Sequence, residues 1–373
     1  MPNIFKTIKD KLFNVVSSEK MTAVGFVKND FDNEFSQRQI NKPNPKGNDL
    51  LVKVNAVSVN PVDTKIRLAY DGNDFKVIGF DAVGIVMGSG SNVTKFKNGD
   101  RIYYAGSQIR SGSNSEYQLV DERLAALAPK NLDDAQAAAM PLTAITAYEI
   151  LVDQLGINFA NNAAEGKKIL IINGAGGVGS ILIQLSKWLG MKVYATASKK
   201  ESIEMIKKMG VDVVVDRNKN ISRQLKTSTA DGVDYVAVLH DTNQYWDAIT
   251  EILNPFGTVV SIVENSQPFD MAPLKNKGQQ FKWEFMFAKS KYNHDMSSQG
   301  QALAQITKLF EAGILKPTLT KTLENINADN LNEAHRLVES GTTVGKISLT
   351  APFAENKTAS QEEAVKDELI TYD

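Results

Sequence analysis

The chain of 373 residues contains no cysteine. This absence excludes disulfide bonds, thiolate zinc sites and a cysteine nucleophile. Histidine is scarce as well: His240, His294 and His335 lie far apart, and no two of them have the i, i+4 spacing of paired ligands on one helix. Because zinc prefers a tetrahedral set of nitrogen and sulfur ligands, we do not expect a catalytic zinc ion.

A strong charge of either sign and long apolar runs are also absent. The formal net charge is −1, which gives no electrostatic reason to expect nucleic acid or an anionic membrane as a partner. No apolar run reaches the roughly 18 residues of a transmembrane helix, and residues 1–10 lack the apolar stretch of a signal peptide. We therefore expect a cytoplasmic protein, with about two domains for its length.

A glycine-rich loop near the middle of the chain carries the first functional signal. The apolar run Ile169 to Ile172 leads directly into Gly174-Ala-Gly-Gly-Val-Gly179, and apolar residues at helical spacing follow. A strand, a glycine loop and a helix in this order are typical of a dinucleotide site, where the glycines let the backbone approach a pyrophosphate at the positive end of the helix. A purely structural turn is the alternative. The residues predicted to bind the cofactor here are Gly174, Gly176, Gly177, Val178 and Gly179.

Strands and helices alternate regularly after this loop. The apolar patterns predict strands at 192–197, 211–215, 234–239 and 258–263, with helices at 201–209 and 245–253. This alternation is typical of an α/β fold with a doubly wound parallel sheet, the Rossmann architecture. Short strands and turns before about residue 125 predict instead an irregular, mostly antiparallel β-domain. The first 20 residues form a predicted amphipathic extension, and residues 353–373 an acidic, mobile tail.

The residues after the second strand of this sheet predict which nicotinamide is bound. An NAD site has an acidic residue there, about 20 residues beyond the glycines, to hold the adenosine ribose. The chain has Ser198 followed by Lys199 and Lys200, and Arg217 just after the third strand. Hydroxyl and cationic groups would pair with a 2′-phosphate, which a carboxylate would repel. We therefore predict NADPH, bound by Ser198, Lys199 and Arg217, although the lysines could simply be the solvated start of a helix.

The chain resembles the medium-chain dehydrogenase/reductase superfamily, specifically its quinone oxidoreductase-like, zinc-type alcohol dehydrogenase-like branch. The motifs that carry the resemblance are Asn60-Pro61-Val-Asp63, Gly79-Phe80-Asp81-Ala-Val-Gly84, Gly99-Asp100-Arg101, residues 137–148, the glycine loop and Gly345-Lys346-Ile. The resemblance implies a GroES-like, β-rich catalytic domain built from residues 21–142 and 285–352. A Rossmann domain, residues 143–284, is inserted in it, and the active site lies in the cleft between the two.

The same resemblance implies roles for several single residues. Asn60 would lie at the cleft floor as a catalytic group that orients substrate or nicotinamide, unless it is only a turn-forming Asn-Pro. Asp63 is a second catalytic candidate, and an ion pair with Lys65 is its structural alternative. Thr146 would approach the nicotinamide, unless it only packs or caps, and Lys346 would lie near the cofactor phosphates.

Two further observations complete the predicted site. His240 ends a strand of the parallel sheet and would face the cofactor crevice. The zinc-dependent members of the family use the histidine of a Gly-His-Glu motif as a metal ligand, whereas this chain has Gly79-Phe80-Asp81 there. The missing ligands predict a site without metal, whatever the zinc-type family label suggests.

A site without a Lewis acid favours acceptors that are already electrophilic. Alcohol oxidation relies on a metal to polarise the oxygen, whereas quinones and conjugated enones accept hydride directly. We therefore predict an NADPH-dependent reductase of quinones or activated enones and carbonyls. A non-catalytic NADPH-binding sensor or structural protein, or an alcohol dehydrogenase with adventitious metal, are the alternatives. Family precedent also predicts a homodimer joined through an edge strand of the Rossmann sheet.

Overall fold

The computed structural model describes residues 19–28, 33–229 and 232–354. Nearly all of the predicted N-terminal extension and of the predicted acidic tail therefore lies outside the described residues. In the described part, no helix combines the length and the apolar character needed to cross a membrane.

The order of strands and helices follows the predicted alternation closely. The strands are β1 (Lys20–Gly25), β2 (Ser36–Asn41), β3 (Asp49–Val59), β4 (Asp81–Ser89), β5 (Arg101–Tyr104), β6 (Tyr117–Asp121), β7 (Ala125–Leu127), β8 (Lys168–Ile172), β9 (Lys192–Ala197), β10 (Val213–Asp216), β11 (Val233–Val238), β12 (Leu253–Ser261), β13 (Gln280–Trp283), β14 (Leu319–Glu324) and β15 (Lys346–Thr350). The helices are α1 (Pro61–Ala69), α2 (Asp134–Ala138), α3 (Pro141–Glu149), α4 (Gly177–Trp188), α5 (Lys200–Lys208), α6 (Ile221–Ser228), α7 (Thr242–Ile252), α8 (Ala272–Asn276), α9 (Phe287–Tyr292), α10 (Ser297–Glu311) and α11 (Ala328–Glu339).

The first large sheet is built from both ends of the chain. Its strand order is β14-β15-β3-β4-β5-β7, with β6 beside β3, while β1 and β2 form a separate antiparallel pair. All its pairs are antiparallel except β14 with β15. Its strands come from residues 49–127 and 319–350, two segments that are far apart in the chain.

The second sheet has six parallel strands in the order β10-β9-β8-β11-β12-β13. This is the doubly wound order, and the chain reverses its winding direction between β8 and β11. In such a sheet the ligand crevice lies outside the carboxyl ends of the strands at that reversal. The residues Ile169 to Ile172 of β8 are buried on both faces, as their apolar run predicted. The predicted fold class is therefore confirmed.

Three elements of the parallel-sheet region were not predicted from the sequence: α6, α8 and β13. The helix α6 is short, and β13 is a four-residue edge strand within an aromatic-rich segment. The helix α6 buries Ile221 and Leu225 at i, i+4 spacing, a signal that sequence reasoning overlooked, whereas β13 is partly exposed at the border of the sheet and shows no clear alternation.

The helix α3 lies between the two sheets and belongs to a shared core. Eight of its nine residues are buried, so it has no solvated face. The core that surrounds it contains Tyr103 of the first sheet, Phe80 just before β4, and Ile169 and Ile171 of the second sheet. Side chains on α3 are therefore held between the two sheets.

Candidate functional site

The glycine loop joins β8 to α4, and three of its glycines are required by close packing. A methyl group on Gly174 would lie 2.7 Å from the Ala195 methyl, and one on Gly179 would lie 2.5 Å from the carbonyl oxygen of Asn173. A methyl on Gly177 would lie 2.8 Å from Cδ of Lys346. Gly176 differs, since its methyl would meet only the Asn173 side chain at 3.1 Å and otherwise nothing closer than 3.6 Å. The loop therefore packs on three sides and is open at Gly176.

Free backbone donors lie at this open side. The first regular hydrogen bond of α4 runs from Ser180 N to Gly176 O, at 2.9 Å. The N–H groups of Gly177, Val178 and Gly179 precede it, and an α-helix offers such groups no internal acceptor. They lie at the positive end of the helix dipole, which suits a phosphate. The loop thus fits the pyrophosphate of a dinucleotide.

The neighbouring strand β9 anchors this loop. Asn173 has the left-handed φ of 69°, and its N–H donates to Oγ1 of Thr196 at 2.8 Å. The N–H of Gly174 donates to the carbonyl oxygen of Thr196 at 3.2 Å. Sequence reasoning missed both Asn173 and Thr196, although an asparagine before a glycine is a known signal for a left-handed turn.

The tips of β9 and β10 bring together the residues predicted to select NADPH. Arg217 Nε donates to Oγ of Ser198 at 2.8 Å, so the guanidinium is held beside the hydroxyl. Arg217 also donates its backbone N–H to Ala197 O at 3.4 Å. Lys199 precedes α5 and is exposed. No acidic side chain occupies the end of β9, and the group as a whole suits a 2′-phosphate.

His240 lies at the same edge of the sheet. The preceding residue, Leu239, donates its N–H to Ile172 O at 3.3 Å, which aligns the end of β11 with the start of the glycine loop. His240 itself is exposed. His240 therefore lies at the carboxyl edge of the parallel sheet, and its contact with a cofactor stays a prediction.

Asn60 and Asp63 lie together at the start of α1, and both are buried. The backbone N–H of Asn60 donates to Oδ2 of Asp63 at 2.7 Å, and the side-chain amide of Asn60 donates to Oδ2 of Asp81 at 2.8 Å. Oδ1 of Asp63 is buried without a hydrogen-bond partner among the described residues. Burial raises the pKa of Asp63 to about 7, against the opposing effect of its hydrogen bond from Asn60. Lys65 is exposed on α1, whereas Asp63 is 1 % exposed.

Lys346 completes this buried polar cluster. Its ammonium group donates to Val59 O at 3.0 Å, to Oδ1 of Asn60 and to Oδ2 of Asp81 at 3.1 Å. An ammonium group has three hydrogens, so pairing with a phosphate would require one of these bonds to break. Burial raises the pKa of Asp81, and the nearby Lys346 offsets this effect only in part.

Asp81 also reaches the helix α3. Its Oδ1 accepts a hydrogen bond from Leu142 N at 2.7 Å. One turn later, Oγ1 of Thr146 donates to Leu142 O at 2.8 Å, and Thr146 is buried. Thr143 lies on the side of the loop, because its Cγ2 would be 2.9 Å from a methyl on Gly177. The start of α3 is therefore fixed both to the glycine loop and to the buried polar cluster of Asn60, Asp63, Asp81 and Lys346, called the acidic cluster below.

A second pair of buried acids lies at the other end of α3. Glu149 and Glu284 are hydrogen-bonded to each other, and Lys289 lies 3.1 Å from Glu149. Burial, together with the neighbouring Glu149, raises the pKa of Glu284 to about 9. Gln154 donates to Glu284 at 2.8 Å. Sequence reasoning missed this pair because its members are far apart in the chain and only the fold brings them together.

The residues at the position of the family's metal motif do not fit a zinc ion. Phe80 is buried, with its ring centroid 4.6 Å from that of Phe287. The carboxylate of Asp81 is already paired with Lys346 and with Leu142 N. Among the described residues, no group of three or more histidine or acidic side chains could hold a metal ion.

Comparisons with known proteins give matches over most of the chain. Residues 46–130 match the family model described as an alcohol dehydrogenase GroES-like domain, and residues 209–349 match the one described as a zinc-binding dehydrogenase. The chain is 42 % identical over 331 residues to a zinc-type alcohol dehydrogenase-like protein of Staphylococcus epidermidis, which covers 88 % of this chain and 98 % of that protein.

Two further relatives extend the comparison. Over 289 residues the chain is 34 % identical to a chloroplastic NADPH-dependent alkenal/one oxidoreductase of Arabidopsis thaliana, covering 74 % of this chain and 66 % of that one. A solved structure from Rhizobium etli, described as a zinc-dependent alcohol dehydrogenase candidate, superposes with a TM-score of 0.84 at 40 % identity, covering 90 % of this chain and 99 % of that chain.

Proposed function

Because this chain belongs to the medium-chain dehydrogenase/reductase superfamily, in its zinc-type alcohol dehydrogenase-like branch, we propose that it is an NADPH-dependent reductase of quinones or activated enones. The observation that carries the proposal is the arrangement at the carboxyl edge of the parallel sheet. There an open glycine loop at the start of α4 stands beside the Ser198–Arg217 pair on the adjacent strand tips. A plant relative is itself described as an NADPH-dependent alkenal/one oxidoreductase.

Each part of the dinucleotide has donors in the chain. The N–H groups of Gly177, Val178 and Gly179 would hold the pyrophosphate at the start of α4. Arg217, positioned by Ser198, and the exposed Lys199 would bind the 2′-phosphate. His240 would border the crevice, and Thr146 would lie towards the nicotinamide end of the cofactor. The proposed role of Gly174 is to let the loop pack on β9.

When bound, the reduced nicotinamide would supply a hydride to the acceptor. The chain's own contribution would be to orient the acceptor and exclude water. At the position of the metal motif, Phe80 packs against Phe287 and supplies no metal ligand for alcohol chemistry. Because both side chains are buried, Asn60 and Asp63 would not contact the acceptor directly but would set the electrostatic environment of the cleft floor. The chain therefore favours acceptors that are already electrophilic.

The experiment that tests this proposal is turnover across a panel of acceptors. Purified protein is mixed with NADPH and a set of naphthoquinones, enals and enones, and acceptor-dependent loss of NADPH absorbance is followed. We expect turnover with at least one of these classes and none with simple alcohols and NADP⁺. NADPH binding that raises the melting temperature without any turnover would favour the non-catalytic sensor instead.

We further propose a cytoplasmic homodimer joined through β13. This strand is the last in the parallel sheet, so one of its edges has no partner strand among the described residues. An unpaired edge is a ready template for a second strand. Trp283 on β13 is 47 % exposed, which supplies apolar area for such a contact.

A further inference from the structure

The side chain of Lys346 spans the distance between the glycine loop and the acidic cluster. Its stem packs on the loop, since a methyl on Gly177 would lie 2.8 Å from Cδ and 3.4 Å from Cγ of Lys346. Its ammonium group, at the far end, lies among Asn60, Asp81 and Val59 O. The Lys346 side chain is 4 % exposed and that of Asp81 is 0 % exposed. One residue therefore contacts both proposed halves of the site.

The backbone next to Lys346 is fixed to the same loop. Gly345 N donates to Ala175 O at 2.9 Å, and Gly345 forms a parallel bridge with Gly176. Gly345 has the left-handed φ of 67°, and a methyl there would lie 2.3 Å from Thr318 O. Only glycine satisfies both conditions. The start of β15 is therefore held firmly against the loop.

Asp81 carries the connection onward to α3. One carboxylate oxygen accepts from Lys346 and Asn60, and the other accepts from Leu142 N. This helix contains Thr146, the residue proposed to lie towards the nicotinamide. The Lys346–Asp81 pair is thus the junction between the loop, the cleft floor and α3.

We propose that the Lys346–Asp81 ion pair is a positioning pair that holds the glycine loop in register with Asn60 and α3, and thereby sets the rate of hydride transfer while contributing little to cofactor affinity. The inference rests on the proposed function in that the loop binds NADPH. Loss of the ion pair should change the affinity for NADPH little, because the phosphates have their own donors at the start of α4 and in Arg217. The Lys346 ammonium already donates all its hydrogens within the chain.

A double variant tests this role without leaving a buried charge unpaired. Changing Lys346 alone would strand the carboxylate of Asp81, which can unfold a protein. In Lys346→Met with Asp81→Asn, the new amide oxygen can still accept from Leu142 N while its NH₂ can donate to Asn60. Lys321→Met is the matched control, because Lys321 lies opposite Ile347 in the neighbouring strand but is 41 % exposed.

We expect the double variant to bind NADPH within about threefold of the unchanged protein and to have a kcat lower by roughly tenfold or more, since small misplacements of reacting groups cost such factors. The control should change neither value. A large loss of NADPH affinity that shrinks as the salt concentration is raised, with kcat retained, would overturn the proposal in favour of phosphate pairing by Lys346. An unchanged kcat would overturn it as well.

Hydrogen exchange provides an arm that needs no turnover. In the unchanged protein, NADPH should slow amide exchange in the glycine loop and also in residues 57–63 and 142–146. In the double variant, protection should remain in the loop and be lost from the other two segments. Equal protection of all three segments in both proteins would contradict the positioning role. If no acceptor is turned over, the reductase proposal fails, yet this comparison still decides the role of the pair.

Discussion

Replacing Gly176 and Gly179 in turn by alanine separates the two tasks of the glycine loop. A methyl on Gly179 would lie 2.5 Å from Asn173 O and 2.7 Å from Gly174 O, both of which are backbone atoms. Such overpacking typically costs about 1–3 kcal/mol. Because backbone cannot rotate away as a side chain can, we expect Gly179→Ala to lower the free energy of unfolding by about 3 kcal/mol.

A methyl on Gly176 should instead leave the stability nearly unchanged and weaken cofactor binding. Gly176 has φ −73° and ψ 171°, which alanine adopts without strain. Its methyl would meet only the flexible end of Asn173 at 3.1 Å, so the free energy of unfolding should change by less than about 0.5 kcal/mol. The methyl would, however, fill the open side of the loop. Losing one charge-assisted hydrogen bond there, worth about 1.5–3 kcal/mol, predicts roughly 10- to 150-fold weaker NADPH binding.

Two measurements check this pair of variants. Denaturant unfolding gives the free energy of unfolding, and the enhancement of NADPH fluorescence on binding gives the dissociation constant. If Gly176→Ala is as stable as the unchanged protein and still binds NADPH equally well, the pyrophosphate does not approach the loop and the cofactor site has been misassigned.

Three further predictions concern the cofactor phosphate, a buried acid and the sheet edge. Arg217→Ala should weaken the binding of NADPH roughly tenfold or more and leave the binding of NADH nearly unchanged, whereas Lys199→Ala, at an exposed position, should weaken NADPH binding only a few-fold. Lys208→Ala is the control for the loss of a surface lysine. Equal effects on the affinities for both cofactors would reject the 2′-phosphate assignment. Glu284 has a pKa raised from 4.5 to about 9 by burial and by Glu149, so the native protein retains a proton that the unfolded chain releases, and stability should fall as the pH rises from about 4.5 towards 9. Glu284→Gln should flatten this decline and stabilise the protein at pH 8 by about 1.4 kcal/mol or more, the equivalent of one pKa unit; an unchanged slope in chemical unfolding would refute the assignment. Trp283→Asp on the edge strand β13 should convert a dimer to a monomer in sedimentation velocity, while Phe256→Asp, at an exposed position near the start of β12, should not. If the unchanged protein sediments as a monomer, the β13 interface is wrong.

The cofactor half of the site could be predicted because its signals are local in the sequence. The glycine loop, Ser198 and Arg217 each follow a strand, and the carboxyl ends of parallel strands meet at one edge of the sheet. Strand order alone therefore placed Ser198 next to Arg217, and the structure shows their hydrogen bond. The fold class could be predicted for the same reason.

The acidic cluster could not be predicted, because its contacts depend on the tertiary fold. Asp81 and Lys346 are 265 residues apart and meet only because β15 and β4 both flank β3. The resemblance suggested phosphates as the neighbours of Lys346, whereas the structure surrounds its ammonium with Asn60, Asp81 and Val59 O. The burial of Asp63 also depends on long-range packing. Its three-residue spacing from Asn60, however, is that of a helix-capping pair and could have been recognised.

Metal-free reduction by NADPH is the central claim, and one measurement tests it directly. The protein is dialysed exhaustively against a chelator, its residual zinc is quantified, and NADPH consumption with the best enone or quinone acceptor is compared before and after dialysis. We predict that the rate with NADPH is the same before and after dialysis, and that the rate with NADH at the same concentration is much lower. Loss of activity on chelation that zinc restores would contradict the account.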